Sequence, residues 1–341
     1  MRSRPLALLL AAILLGLATT PFILHGAQAI NAAAHICIFI LLVASYDLLL
    51  GYTGVVSFAH TMFFGIGGYG AGLALAFSPS WPSLALGIAA ALLLSGLLSM
   101  VIGLLSLRVR ALFFAMITLA VAAVFAELAS RLSWLTGGED GKSFEVPELL
   151  RASFRLLPDR LFGTVINGKV VTYYLIFAAT CLLFLLLLRL VNSPFGRVLQ
   201  AIRENEFRAE AIGYRTAYYR TAASAIAAMI ATLGGVLLSL WLRYIGPDST
   251  LSFDIMIDVL LMTVIGGTGS LYGSIIGATL IVIAQTYLRD ALSGLQDLTP
   301  LANPDRWRLW LGLIFIFCVY LFPEGIVGKL RAMANRKILP P

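Results

Sequence analysis

Most of the chain shows no alternation between apolar and polar positions. It runs instead in apolar blocks, each about as long as the roughly 17–25 residues that a helix needs to cross a bilayer. The blocks fall at 6–24, 30–50, 55–77, 84–107, 111–132, 172–191, 217–242, 253–267, 270–288 and 307–322. They predict an all-α polytopic membrane protein with about ten transmembrane helices, within a range of eight to ten. The eighth and tenth blocks are short and read as partial or tilted segments. One stretch departs from the rule. Between 193 and 215, Phe195, Val198, Leu199 and Ile202 stand at i, i+3, i+4 and i+7, with arginines and glutamates on the other side. Pro194 suits a first helical turn and Gly213 a helix stop, so a short amphipathic helix or helix pair is expected there. Such a helix either lies on lipid headgroups or docks on a partner protein, and its pattern admits both.

Composition narrows the classes. Of 341 residues, 60% are hydrophobic and only 12% charged, against about 25% charged in an average soluble domain. This leaves no material for an independent soluble enzyme domain. The net charge of +7 then reports topology, not nucleic-acid binding. With ten crossings, basic clusters gather on one side: Arg2 and Arg4; Arg108 and Arg110; six arginines from Arg189 to Arg220; and Lys329, Arg331, Arg336 and Lys337. Both termini are therefore expected in the cytoplasm, with a long outer loop at about 133–170. Arg2, Arg4 and the run up to Ala27-Gln28-Ala29 imitate a cleavable signal peptide, but the 6–24 segment reads as a retained signal-anchor helix. Cys37, Cys181 and Cys318 sit apart in apolar runs, so neither a disulfide framework nor a metal site is expected.

Two segments differ from the Leu and Ala around them by their glycine content. The first runs from Gly51-Tyr-Thr-Gly54 through Ser57 and His60 to Gly72; the second from Gly266-Gly-Thr-Gly269 through Gly273 to Gly277. Both contain a GxTG step, a hint of an internal pseudo-repeat. Gly269, Gly273 and Gly277 form a small-xxx-small stripe that admits a close neighbour. Gly-interrupted segments in both halves of a chain mark pathway-lining helices in transporters, while plain helix packing explains the same glycines. The candidates for pathway or packing are Gly51, Thr53, Gly54, Ser57, His60, Gly266, Thr268, Gly269, Gly273 and Gly277. Few ionisable groups fall within or beside the blocks: His35, Asp47, His60, Glu127 and Asp258. Each is a functional candidate because a charge in hydrocarbon is costly, although a helix end can satisfy Asp47 or Asp258. Catalytic constellations are absent. Thr136-Gly-Gly-Glu-Asp-Gly141-Lys142-Ser143 lacks the first glycine of a P-loop and its strand-loop-helix context.

Five blocks in a fixed order resemble the permease subunits of ABC importers for branched-chain amino acids, specifically the M-type of the two permeases such systems carry. They are GYTGVVSFAHTMFFGIGGYGAGL (51–73), LTGGEDG (135–141), SPFGRVLQAIRENEFRAEAIGYR (193–215), GPDSTLSFDIMIDVLLMTVIGGTGSLYGSIIGA (246–278) and FPEGIVG (322–328), and the match covers about 35–330. The resemblance implies a single permease domain over 1–341 in the bacterial inner membrane. Its implied partners are the lipid bilayer, a second homologous permease, two cytoplasmic ABC ATPases and a periplasmic substrate-binding protein; nucleic acid is not among them. ATP and Mg²⁺ would be bound by the ATPases, with no cofactor or metal in this chain. The 193–215 stretch then looks like the helix that docks on the ATPase, with Arg203, Glu206, Arg208, Glu210 and Gly213 as candidate coupling residues. It departs from the EAAxxxG pattern of many ABC permeases, since Phe207, Arg208 and Ala209 stand where EAA would align. Permeases for urea, short amides or other small solutes have a similar sequence, and a self-contained channel or carrier is the reading from another class.

Overall fold

The computed structural model describes residues 4–23, 26–105, 109, 111–151, 153–154, 167–295, 306–322 and 324–336. Arg2, Arg108, Arg110, Lys337 and the outer-loop stretch 155–166 lie outside the described residues. The chain begins with α1 (Arg4–Ile23), α2 (Ala27–Leu50), α3 (His60–Phe77), α4 (Trp81–Leu105) and α5 (Ala111–Arg131). After a single turn, α6 (Ser133–Thr136), come β1 (Lys142–Ser143), α7 (Gly168–Val191), and the pair α8 (Pro194–Glu204) and α9 (Glu206–Ala211). Then follow α10 (Thr216–Leu242), β2 (Tyr244–Ile245), α11 (Pro247–Thr250), α12 (Phe253–Gly266), α13 (Leu271–Leu295), α14 (Trp307–Leu321) and α15 (Gly325–Arg336).

All ten apolar blocks are helices. Among the described residues, nine stretches are long and apolar enough to cross a membrane, the seventh of them joining α11 to α12 and the ninth running from α14 into α15. The remaining block, 55–77, is α3. It starts at His60 instead of residue 55 and is 18 residues long; His60, Thr61 and its glycines dilute its apolar content. The residues before it, 51–59, are not helical.

Burial sorts the helices into a centre and a rim. In α2 the run from Ile36 to Leu49 is buried throughout, and α10 and α3 pack beside it. Around them α1, α4, α5, α7 and α14 turn Leu8, Leu86, Leu93, Leu112, Leu182 and Ile316 outward. In a bilayer that apolar rim meets lipid, so its leucines cost nothing and drive no packing. The centre instead depends on close backbone approach. A side chain at Gly67 would overlap the Thr232 carbonyl of α10, and one at Gly235 the Phe64 carbonyl of α3. On the other face of α3, Gly70 lies against Gly87 and Ala91 of α4.

The loop after α5 folds back over one end of the bundle. β1 pairs antiparallel with β2, Lys142 opposite Ile245 and Ser143 opposite Tyr244. Phe144, Val146 and Leu150 bury against Tyr69, Leu75, Leu84 and Leu240. Arg243 ends α10 with φ of 56°, the single non-glycine residue at positive φ among those described, and donates a 2.9 Å hydrogen bond to the Leu150 carbonyl. The Thr136–Ser143 stretch thus passes through a turn into a short strand, without the helix a P-loop requires.

Candidate functional site

The amphipathic stretch forms two helices meeting at Asn205. Pro194 occupies the first turn of α8, which buries Val198, Leu199 and Ile202, three of the four apolar positions read from the sequence; Phe195 is half-buried against Tyr219. Asn205 ends α8 and caps α9, its side chain accepting the Arg208 N–H at 2.9 Å. Gly213, at φ of 96°, closes α9: its N–H donates to Glu210 O and the Tyr214 N–H to Ala209 O, the paired bonds of a Schellman motif.

Three of the candidate coupling residues are engaged within the chain. Glu206 accepts from Arg220 of α10 at 2.8 Å, and Glu210 accepts from the Thr216 hydroxyl at 2.6 Å, so both tether α9 to the start of α10. Arg203, although exposed, reaches back to the end of α2. Its Cγ passes over Gly54, and its guanidinium donates to the Gly51 carbonyl, where α2 has just ended. Beside the exposed Arg208 and Glu210, α9 and its C-cap show two large apolar side chains to the outside, Phe207 at 87% and Ile212 at 68% exposure. The sequence contains the signal for these two, since apolar residues on the polar side of an amphipathic helix have no fold to serve.

The two glycine-rich segments meet where Arg203 points. Asp47, in the last turn of α2, accepts the Gly269 N–H at 2.8 Å, and the Ser270 N–H also faces its carboxylate. Gly269 and Ser270 immediately precede α13, so Asp47 acts as an N-cap contributed by another helix; a carboxylate at that end is also favoured by the helix dipole. Approach is close enough that a β-carbon on Gly51 would overlap both the Asp47 carboxylate and Gly269 N. One on Gly269, at φ of 79°, would stand 3.0 Å from an Arg203 nitrogen and 3.1 Å from Gly51 O. From the far side, Gly325 at the head of α15 packs on Gly267. Four distant segments therefore share one junction: the end of α2, the α12–α13 connection, the start of α15 and the end of α8.

The remaining candidates have other places. Gly273 lies against Gly266 and Gly277 against the Met262 carbonyl, so the small-residue stripe packs α13 on α12. Thr53 donates to Leu49 O, and Ser57 is buried before α3, where the Phe58 N–H donates to Thr118 of α5 at 3.0 Å. His60 is buried, with Nε2 2.8 Å from Ser45 Oγ and its ring edge-on to Tyr46. Gly54 and Thr268 are exposed. Of the other ionisable candidates, Glu127 pairs with Arg131 at 2.6 Å on an exposed face of α5, and the Asp258 carboxylate meets the Gln285 side chain of α13. Among the described residues there is no group of three or more His, Cys, Asp or Glu fit to hold a metal ion.

Residues 28–319 match the family model described as branched-chain amino acid transport system, permease component. The chain is 27% identical to the high-affinity branched-chain amino acid transport system permease protein LivM of Salmonella typhimurium and 26% identical to that of Escherichia coli, alignments that cover 97% of this chain and 77% of each relative. It is also 26% identical to the corresponding permease protein BraD of Pseudomonas aeruginosa, over 89% of this chain and 95% of that one. No solved structure matches the chain.

Proposed function

The chain belongs to the family of permease components of branched-chain amino acid transport systems, and from that premise we propose that it is the M-type permease of an ABC importer carrying such amino acids across a bacterial inner membrane. It is a multi-pass transport subunit. Its translocation path forms with a second, homologous permease; a periplasmic binding protein delivers the substrate; and two ATPases on the cytoplasmic side bind ATP and Mg²⁺ and supply the energy. This chain performs no catalysis of its own.

The observation that carries the mechanism is the reach of Arg203 back to the end of α2. In this reading α8 and α9 lie on the cytoplasmic side, with Phe207, Arg208 and Ile212 as the face that enters a groove on the ATPase. Buried apolar anchors of this kind dominate docking energies, and a charge beside them sets register. When ATP draws the ATPases together, α9 moves with them; the Asn205 junction carries α8 along, and the ties through Glu206 and Glu210 carry the start of α10. Arg203 then transmits the displacement to Gly51. From Gly51 it passes through Asp47 to the head of α13, so one motion acts on α2 and on the α12–α13 hairpin together. Alternation between outward-open and inward-open states requires that kind of joint movement, and helix ends and connections absorb it more readily than helix interiors.

The test is reconstitution of the two permeases and the ATPases in proteoliposomes with leucine-loaded binding protein outside. ATP-dependent leucine uptake that requires every component supports the reading. Uptake by this chain alone, or uptake indifferent to ATP, overturns it in favour of a channel or carrier.

A further inference from the structure

At the end of α2 opposite Asp47 a second polar site opens between α2 and α13. It is a cavity of about 280 Å³ lined by Gln28, Asn31, His35 and Phe39 of α2 and by Gln285 and Thr286 of α13. That volume is just below the roughly 300–1,000 Å³ usual for small-molecule sites. Here three amides, an imidazole and a hydroxyl share one opening.

Gln28 is held by a carboxylate behind it, and Gln285 faces another. Gln28 donates through Nε2 to Asp290 at 3.1 Å and to the Thr286 carbonyl at 3.5 Å, while Gln285 meets Asp258 of α12. A carboxylate accepts, so Gln28 turns its NH₂ group to Asp290 and its amide oxygen is what remains for the cavity. Asp258 has little competing positive charge. Arg308 stands on the same side of α12, but it is shared with Asp254, 3.8 Å away, and both members of that pair are largely exposed. The opening thus presents amide groups backed by the carboxylates of Asp290 and Asp258. His35 stacks on Phe39 and leaves its ring edge to the opening.

We propose that this cavity is a binding site for the protonated α-amino group of the transported amino acid, with Gln285 and Gln28 contacting it and Asp258 and Asp290 as positioning residues that orient those amides. The site lies about 18 Å from the Asp47 junction, twelve residues along α2 at about 1.5 Å each. On the topology above that puts it in the outer half of the membrane, where substrate arrives from the binding protein. The inference rests on the proposed transport function. Phe39 and Val282 give the apolar substrate tail a surface beside the polar wall.

The test uses the complete reconstituted importer with Asp258→Asn, Asp258→Glu and Gln285→Leu, each checked for assembly with its partners. Leucine uptake is expected to fall at least tenfold in Asp258→Asn and Gln285→Leu and to recover partly in Asp258→Glu, while ATP hydrolysis stimulated by loaded binding protein stays within twofold of normal. That split separates a substrate contact from a merely structural role, which would lower assembly or hydrolysis as well. Wild-type uptake with unchanged uptake in Asp258→Asn and Gln285→Leu overturns the site and leaves the transport function standing. Equal loss of hydrolysis and uptake in all three variants overturns it too, as a fold defect, and absence of uptake in the wild-type assembly overturns the function itself.

Discussion

The Asp47 carboxylate accepts the Gly269 N–H at 2.8 Å although 222 residues separate the two in the chain. A carboxylate inside a membrane protein needs partners for its lone pairs, and the start of a helix offers unpaired N–H groups. Each solves the other's problem, and the arrangement ties the end of α2 to the head of α13. Replacing Asp47 with leucine leaves the Gly269 N–H unsatisfied, a loss of about 1–3 kcal/mol. Asp47→Leu is expected to lower the thermal unfolding midpoint in detergent and to abolish uptake; Asp47→Asn, which keeps an acceptor, is expected to retain the fold with several-fold slower uptake.

Arg203 makes a different prediction because its bond crosses from α8 to Gly51. Arg203→Ala is expected to uncouple the importer, with ATP hydrolysis near normal and uptake down at least tenfold in proteoliposomes. Arg203→Lys should fall between, since an ammonium keeps the charge but not the planar fork of donors. Hydrolysis and uptake falling in parallel would show that Arg203 serves assembly instead.

Phe207 and Ile212 are expected to anchor the ATPase. Truncating exposed side chains scarcely alters the fold, whereas truncating an interface hot spot costs about 2 kcal/mol or more. Phe207→Ala with Ile212→Ala should therefore reduce co-purification of the ATPase at least tenfold and leave the permease's own unfolding midpoint unchanged. Glu206→Gln is the contrasting case. It loosens the partly exposed tie to Arg220, expected to contribute about 1 kcal/mol or less, and should leave ATPase capture largely intact.

The glycines of the centre are expected to matter for folding, not for coupling. Valine at Gly67 has the Thr232 carbonyl in its way, and overpacking of this type costs about 1–3 kcal/mol or more. Gly67→Val should lower both yield and unfolding midpoint. Gly312→Ala in α14 has open space around it and should do neither.

Much of the fold was legible along the chain because a bilayer imposes a length and an apolar composition on every crossing. Those constraints are local, so ten apolar blocks became ten helices with ends displaced by only a few residues. The α8–α9 segment was legible for a similar reason: Pro194, the i, i+3, i+4, i+7 pattern and Gly213 each act within a few residues of backbone. The start of α3 was not, since 51–59 is apolar enough for a helix and is drawn out of one by the junction and by the bond from Phe58 to Thr118.

What the sequence by itself determined, then, is the class of molecule, its apolar helices, its amphipathic appendage and its family, all of which follow from local composition or from short blocks in order. Only the tertiary structure decided the roles of the individual polar residues. Glu206 and Glu210 are tied to the head of α10 because Arg220 and Thr216 come to stand beside them, while Phe207, Arg208 and Ile212 are exposed without such a tie to α10. Gly51 and Gly269 are glycines because two chain segments 218 residues apart approach within the width of a side chain. A charge or a glycine has no function in isolation; its effect depends on distance to a partner, and distances between remote segments exist only once the helices have packed.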